Sequence, residues 1–175
     1  MKKVASSFIN GAAILSVAGI IVKILGAIFR IPLSNIIGTE GMGIYQLAYP
    51  MYSFLLVISS AGFPVAISRL VARAVNLGDY KLANRTFRLS KLLMMALGFT
   101  AMAILALFSG LIAQRQGNPD SKYVLLAIAP AILFVSVLSA YRGYFQGMQN
   151  MVPTAVSQII EQFIKLVAGL GLALY

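Results

Sequence analysis

The chain contains no cysteine and no histidine. The first absence excludes disulfides and thiol catalysis. The second removes imidazole bases, and the two together remove most transition-metal sites. Acids are almost as scarce: Glu40, Asp79, Asp120 and Glu161 are the only four in 175 residues, and no two are close in sequence. Paired-carboxylate catalysis and carboxylate–metal chemistry both need acids brought together. No GxxxxGK[ST] loop occurs to cradle a phosphate, so the chain does not hydrolyse nucleotide on its own. The expectation is a protein that is not an enzyme and uses no cofactor or metal. Charge is also sparse, at 10% of residues, where a soluble domain carries about 25%.

What the chain has instead is apolar sequence, 60% of it. The apolar runs are long and lack the period-two alternation of a barrel strand, so the class is all-α and polytopic in a membrane. Five spans can be drawn, at about 11–37, 44–70, 89–112, 123–140 and 153–175. The start, MKKVASSF, resembles a signal peptide. The apolar run behind it is too long for one and has no convincing cleavage site, so it reads as a retained first span. A glycine-rich turn, GTEGMG, is expected from Gly38 to Gly43. Pro50, Gly62 and Pro64 predict a kink or break in the second span. In the connector ARAVNLGDYKLANRTFRLSK, Asp79 is placed to cap a short helix. Lys81, Arg85 and Arg88 share one face of that helix, and Leu82 and Leu89 turn towards the bilayer. The Gly-Asn-Pro-Asp of residues 117–120 reads as a turn, Pro130 as an interruption of the fourth span, and YRGYFQGMQNMVPT as a loop.

The net charge of +10 is mainly a topology signal. Lys2, Lys3, Arg69, Arg73, Lys81, Arg85, Arg88, Lys91 and Arg142 fall on one side, against Arg115 and Lys122 on the other. That asymmetry places the N-terminus in the cytoplasm and Tyr175 at the outer face. The basic connector serves as a positive-inside anchor, and anionic lipid headgroups are a second reading of the same residues. Nucleic acid is not an expected partner, because basic RNA-binding faces need soluble surface.

Three cations remain inside spans: Lys23, Arg30 and Lys165. A charge at mid-helix costs about 2.5–3.5 kcal/mol on the insertion scale. Residues seven apart complete nearly two helical turns, so Ser16, Lys23 and Arg30 share a face, flanked by Gly19 and Gly26. In the fifth span Thr154, Gln158, Glu161 and Lys165 form a second stripe, with Glu161 and Lys165 an i,i+4 pair in the favourable order. One reading has the cations snorkel to the interfaces and the Glu161–Lys165 pair neutralise itself. The other has both stripes line one cavity, a net positive site for an anionic group made of Lys23, Arg30, Gln158, Glu161 and Lys165. Tyr45, Tyr49 and Tyr52 read as an aromatic belt at the outer end of the second span.

Three segments carry a family resemblance: KILGAIFRIPLSNIIGTEGMGIYQLAYPMYSFLLVISSAGFPVAISRLVA, the GDYKLANRTFR connector and, most specifically, YRGYFQGMQNMVPTAVSQIIEQ. They resemble the polysaccharide-biosynthesis, stage V sporulation protein B-like family. That family lies within the multidrug/oligosaccharidyl-lipid/polysaccharide exporter superfamily and is related to the MurJ lipid II flippases. The resemblance covers essentially the whole chain. It implies about fourteen spans in two lobes around a central cavity, of which this chain would be part of the N-terminal lobe. The implied activity is transport of undecaprenyl-pyrophosphate-linked cell-wall or polysaccharide precursors across the cytoplasmic membrane by alternating access. The implied partner is that lipid-linked saccharide, met by first-span cations in the positions of Lys23 and Arg30. The flippase relatives carry further arginines in the second span, where SFLLVISS has none. Two other functions remain open at this level. A drug or cation antiporter of the same superfamily would want acids on the cavity face, where only Glu161 qualifies. A membrane scaffold recruiting cell-wall synthesis or spore-coat proteins would depend on the Arg73–Arg88 connector and tolerate neutral replacements in the spans.

Overall fold

The computed structural model describes residues 2–60 and 62–173, with only the backbone of residues 2–10. The side chains of Lys2 and Lys3, and Tyr175 at the end of the fifth predicted span, lie outside the described residues. Everything described is helix and short turn: α1 (Lys2–Ser60), α2 (Phe63–Asn76), α3 (Tyr80–Arg115), α4 (Ser121–Gly147) and α5 (Val152–Ala173). Among the described residues, four helical stretches are long and apolar enough to cross a membrane, beginning at Gly11, Tyr80, Ser121 and Val152. The protein is thus a multi-pass membrane protein. The first stretch, Gly11–Asn76, contains 66 residues, about three times the roughly 20 that a hydrocarbon core accommodates. It holds both the first and the second predicted span.

What divides that stretch is glycine. Gly38 has φ 68 and ψ −174, outside the helical region, with helix on both sides of it. The predicted six-residue turn is therefore one residue long, and Thr39–Gly43 is helical. The second break falls where the sequence puts it: Gly62, at φ 80, precedes α2, and Pro64 occupies the first turn, where its missing N–H has no helical partner to lose.

Residues 41–148 form one compact unit. Asp79 caps α3 as expected, its Oδ1 accepting from the Leu82 amide at 2.8 Å. The capped helix does not stop before the third span, however. It is continuous with it, giving 36 residues in α3. Apolar contacts along the whole length reward that continuity: Ala83, Met94, Gly98, Ala101, Leu105 and Ala113 are all buried. The α3–α4 turn is the predicted Gly-Asn-Pro-Asp, with Gly117 at φ 72 and Ser121 Oγ donating to Asn118 O at 2.8 Å. Gln116 Nε2 donates to Leu47 O at 2.9 Å, tying the later arm of α1 to this turn.

Two expectations about α4 need correcting. The helix runs unbroken through Pro130 and on to Gly147, so the first seven residues of the predicted YRGYFQGMQNMVPT loop are helical. Their glycines serve close packing. A Cβ on Gly143 would lie 2.8 Å from Pro64 O, and one on Gly147 would lie 2.6 Å from Val71 Cβ. This small-xxx-small edge lets the α4 backbone approach α2. On α3, Gly98 gives similar access to α4, where its Cβ would meet Ser136 Cβ at 2.8 Å. Buried Ser136 donates to the buried Ser59 Oγ at 3.1 Å, a polar link between α4 and the later arm of α1. Tyr45, Tyr49 and Tyr52 stack in sequence, with ring centroids 5.6 and 6.0 Å apart.

The second unit comprises residues 1–40 and 149–175. It pairs the first arm of α1 with α5, which starts where Asn150 Oδ1 accepts from the Val152 amide at 3.2 Å.

Candidate functional site

The pairing of α1 with α5 fixes where the polar stripes lie. A Cβ on Gly11 would meet Met151 Cγ at 2.7 Å, one on Gly26 would lie 4.0 Å from Gln162 Nε2, and one on Gly169 would meet Phe29 Cε2 at 2.7 Å. These contacts climb both helices in the same direction, so the two run parallel. The contact face of α1 follows: Gly11, Ala18 and Leu33 are buried, and Leu15, Val22, Leu25 and Phe29 are half-buried. On α5 it is Ala155, Ile159, Gln162, Leu166 and Gly169.

At about 100° per residue, each helix then divides into three faces. On α1, Ser16, Lys23 and Arg30 lie to one side of the contact, while Val17, Ile21, Ile24 and Ile28 lie to the other. On α5, Thr154, Gln158, Glu161 and Lys165 lie to one side, while Val156, Ile160, Phe163 and Val167 lie to the other. Going round in the sense of increasing residue number, the polar stripe of α1 follows its contact face and that of α5 precedes it. In two parallel helices these stripes fall on the same side of the pair. The pair thus has one polar flank and one aliphatic flank. Ile24 and Ile160, on the aliphatic flank, are 54% and 51% exposed.

Register sets the heights along the polar flank. Gly11 opposite Met151 and Gly26 near Gln162 bring Glu161 about level with Lys23. Lys165 comes between Lys23 and Arg30, whose own separation is about 10 Å along the axis. Lys165 Nζ lies 5.4 Å from the centroid of the Phe29 ring, a cation–π contact that holds the ammonium at the seam of the two helices. Lys23, Arg30, Glu161 and Lys165 are all exposed in this unit, and Gln158 is half-buried. All five residues of the sequence-derived site are therefore on one flank. Three cations and one acid leave a net positive strip about two helical turns high.

Two contributors escape sequence reasoning. Phe29, one of many apolar residues in its run, gives no sign of carrying a lysine. Gln162 lies one turn after Gln158, and its Oε1 is buried with no hydrogen-bond partner among the described residues, as is Thr154 Oγ1. A buried acceptor left unmade costs about 1–3 kcal/mol, so Gln162 is a polar group held in the seam at a cost to stability. Among the described residues no group of three or more acids could hold a metal ion.

Chemically, the strip suits an anion with more than one charge. An arginine offers a planar fork of donors to phosphate and lysines offer mobile point charges.

Comparison with known proteins shows the family. The family model described as polysaccharide biosynthesis protein matches residues 8–175. Among curated proteins of Bacillus subtilis (strain 168), stage V sporulation protein B is 34% identical over 161 residues, covering 91% of this chain and 31% of that protein. Lipid II flippase MurJ is 33% identical, covering 93% of this chain and 31% of that protein. The uncharacterized membrane protein YabM is 35% identical, covering 95% and 30%. The chain thus spans a little under a third of the length of each of these relatives. No solved structure matches it.

Proposed function

The chain belongs to the polysaccharide biosynthesis protein family, and from that premise we propose that it is the opening part of the N-terminal lobe of a flippase. The cargo is an undecaprenyl-pyrophosphate-linked saccharide, moved across the cell membrane by alternating access with the N-terminus in the cytoplasm. The observation that carries this reading is the common flank of the two polar stripes. It gathers Lys23, Lys165 and Arg30 within about 10 Å along the helix axis, the scale of a pyrophosphate and its first sugar. The cations neutralise the pyrophosphate, Gln158 and Glu161 supply hydrogen-bonding groups, and the aliphatic flank stays with the acyl chains. The name of the related lipid II flippase supports the substrate class.

The test is translocation of a lipid-linked saccharide by the complete protein carrying Lys23→Ala or Arg30→Ala. Each is expected to lose at least about tenfold in rate, the equivalent of one charge-assisted hydrogen bond. Lys23→Arg and Arg30→Lys should retain part of the rate. Full activity in both alanine variants overturns the assignment.

A further inference from the structure

A groove of about 320 Å³ runs along the outside of α3 and α4, lined by Met95, Leu133, Phe134, Val137, Leu138 and Tyr141. It is apolar and open, with Phe134 71% and Met95 46% exposed. One end of it meets charge. Arg88, Lys91 and Met95 are spaced i, i+3, i+7, so the two cations stand on the groove's own face of α3, one and two turns from its wall. Tyr141 closes that end, its ring 5.0 Å from Phe87 in an edge-on contact, and Lys91 Nζ lies 6.0 Å from the same Phe87 ring. Cations, then aromatic rings, then an aliphatic trough is the order in which a phospholipid presents its phosphate, its glycerol region and its acyl chain.

We propose that this groove is a binding site for an anionic glycerophospholipid, with the phosphate at Arg88 and Lys91 and an acyl chain along Phe134 and Leu138. The occupant is specified by charge complementarity. Arg69, Arg73, Lys81 and Arg85 are exposed near the same ends of α2 and α3, and the one acid among them, Asp79, spends its Oδ1 on capping α3. A zwitterionic lipid fits the trough equally well and gains nothing from this surround. The site lies wholly within the 41–148 unit and uses no residue of the Lys23–Arg30 strip.

The absence of tryptophan from the chain provides the test. Phe134→Trp places the single tryptophan of these 175 residues in the groove, and Leu107→Trp places it on α3 at a site 81% exposed and outside the groove. The purified protein is reconstituted in phosphatidylcholine vesicles containing lipids brominated on their acyl chains. Brominated phosphatidylglycerol should quench Phe134→Trp at a roughly 25-fold lower mole fraction than brominated phosphatidylcholine does, about fivefold for each of the two cations. The preference should fall about fivefold for each cation removed in Arg88→Gln and Lys91→Gln. High salt should reduce it in the otherwise unaltered Phe134→Trp protein, a readout that needs no further substitution. Leu107→Trp should show no headgroup preference. Equal quenching by both lipids, or a preference indifferent to salt and to both substitutions, overturns the proposal. Displacement of phosphatidylglycerol by equimolar undecaprenyl phosphate overturns it also, since the groove would then belong to the cargo's prenyl chain.

Discussion

A methyl group added at Gly147 would lie 2.6 Å from Val71 Cβ and 2.7 Å from Ser68 O, and neither neighbour can yield cheaply, since one is held in the α2–α4 contact and the other is backbone. Gly147→Ala is therefore expected to destabilise the protein by about 1–3 kcal/mol, read as a lowered unfolding midpoint in detergent. Gly43 predicts the opposite. It is helical, and a Cβ there would have nothing within 4 Å, so Gly43→Ala should be neutral or stabilising by up to about 1 kcal/mol. The sequence alone does not separate these two glycines. Both sit in segments that read as turn or loop, and only the neighbour across the gap tells packing from freedom. Charge is easier to read, because a cation inside an apolar run is conspicuous wherever it points. Hence Lys23, Arg30, Glu161 and Lys165 are legible from spacing, while Phe29 and Gln162, acting through a helix more than a hundred residues away in sequence, are not.

Helix breaks show the same division. Gly62 with Pro64 behind it announces a break in backbone chemistry, and α2 begins there. Pro130 carries the same chemistry, yet α4 passes through it, because buried neighbours such as Ala129 and Ile132 hold the helix on both sides. At Gly38 the backbone conformation, φ 68 with ψ −174, belongs to a region that is open essentially to glycine alone, and other residues there cost about 1–3 kcal/mol. Gly38→Ala is expected to lower the unfolding midpoint accordingly or to extend the helix through the break. A pair of spin labels on 11–37 and 44–60 would show the second outcome as an altered distance. The Asp79 cap is an element-scale feature fully visible in sequence. Asp79→Ala should cost about 1 kcal/mol and speed amide exchange at Leu82 and the residues next to it.

At the scale of the molecule, the lack of cysteine in these 175 residues opens the orientation of α3 to labelling at introduced cysteines. Asn84 and Gln114 lie near opposite ends of α3, and both are exposed. With the N-terminus in the cytoplasm, Gln114→Cys should react with a membrane-impermeant maleimide in intact cells, and Asn84→Cys only after permeabilisation. The reverse pattern would invert the assigned topology. The parallel α1–α5 pair has a consequence for biogenesis. Gly11 and Met151 touch, so the opening helix waits for about 140 residues of synthesis, or roughly 7–30 s at ribosomal rates, before its companion exists. During that interval Lys23 and Arg30 have entered the lipid phase without the helix that shares their flank. A nascent chain stalled before the fifth helix arrives is therefore expected to be cleaved faster by a membrane protease than one that includes α5, a difference that arrested chains of the two lengths would show.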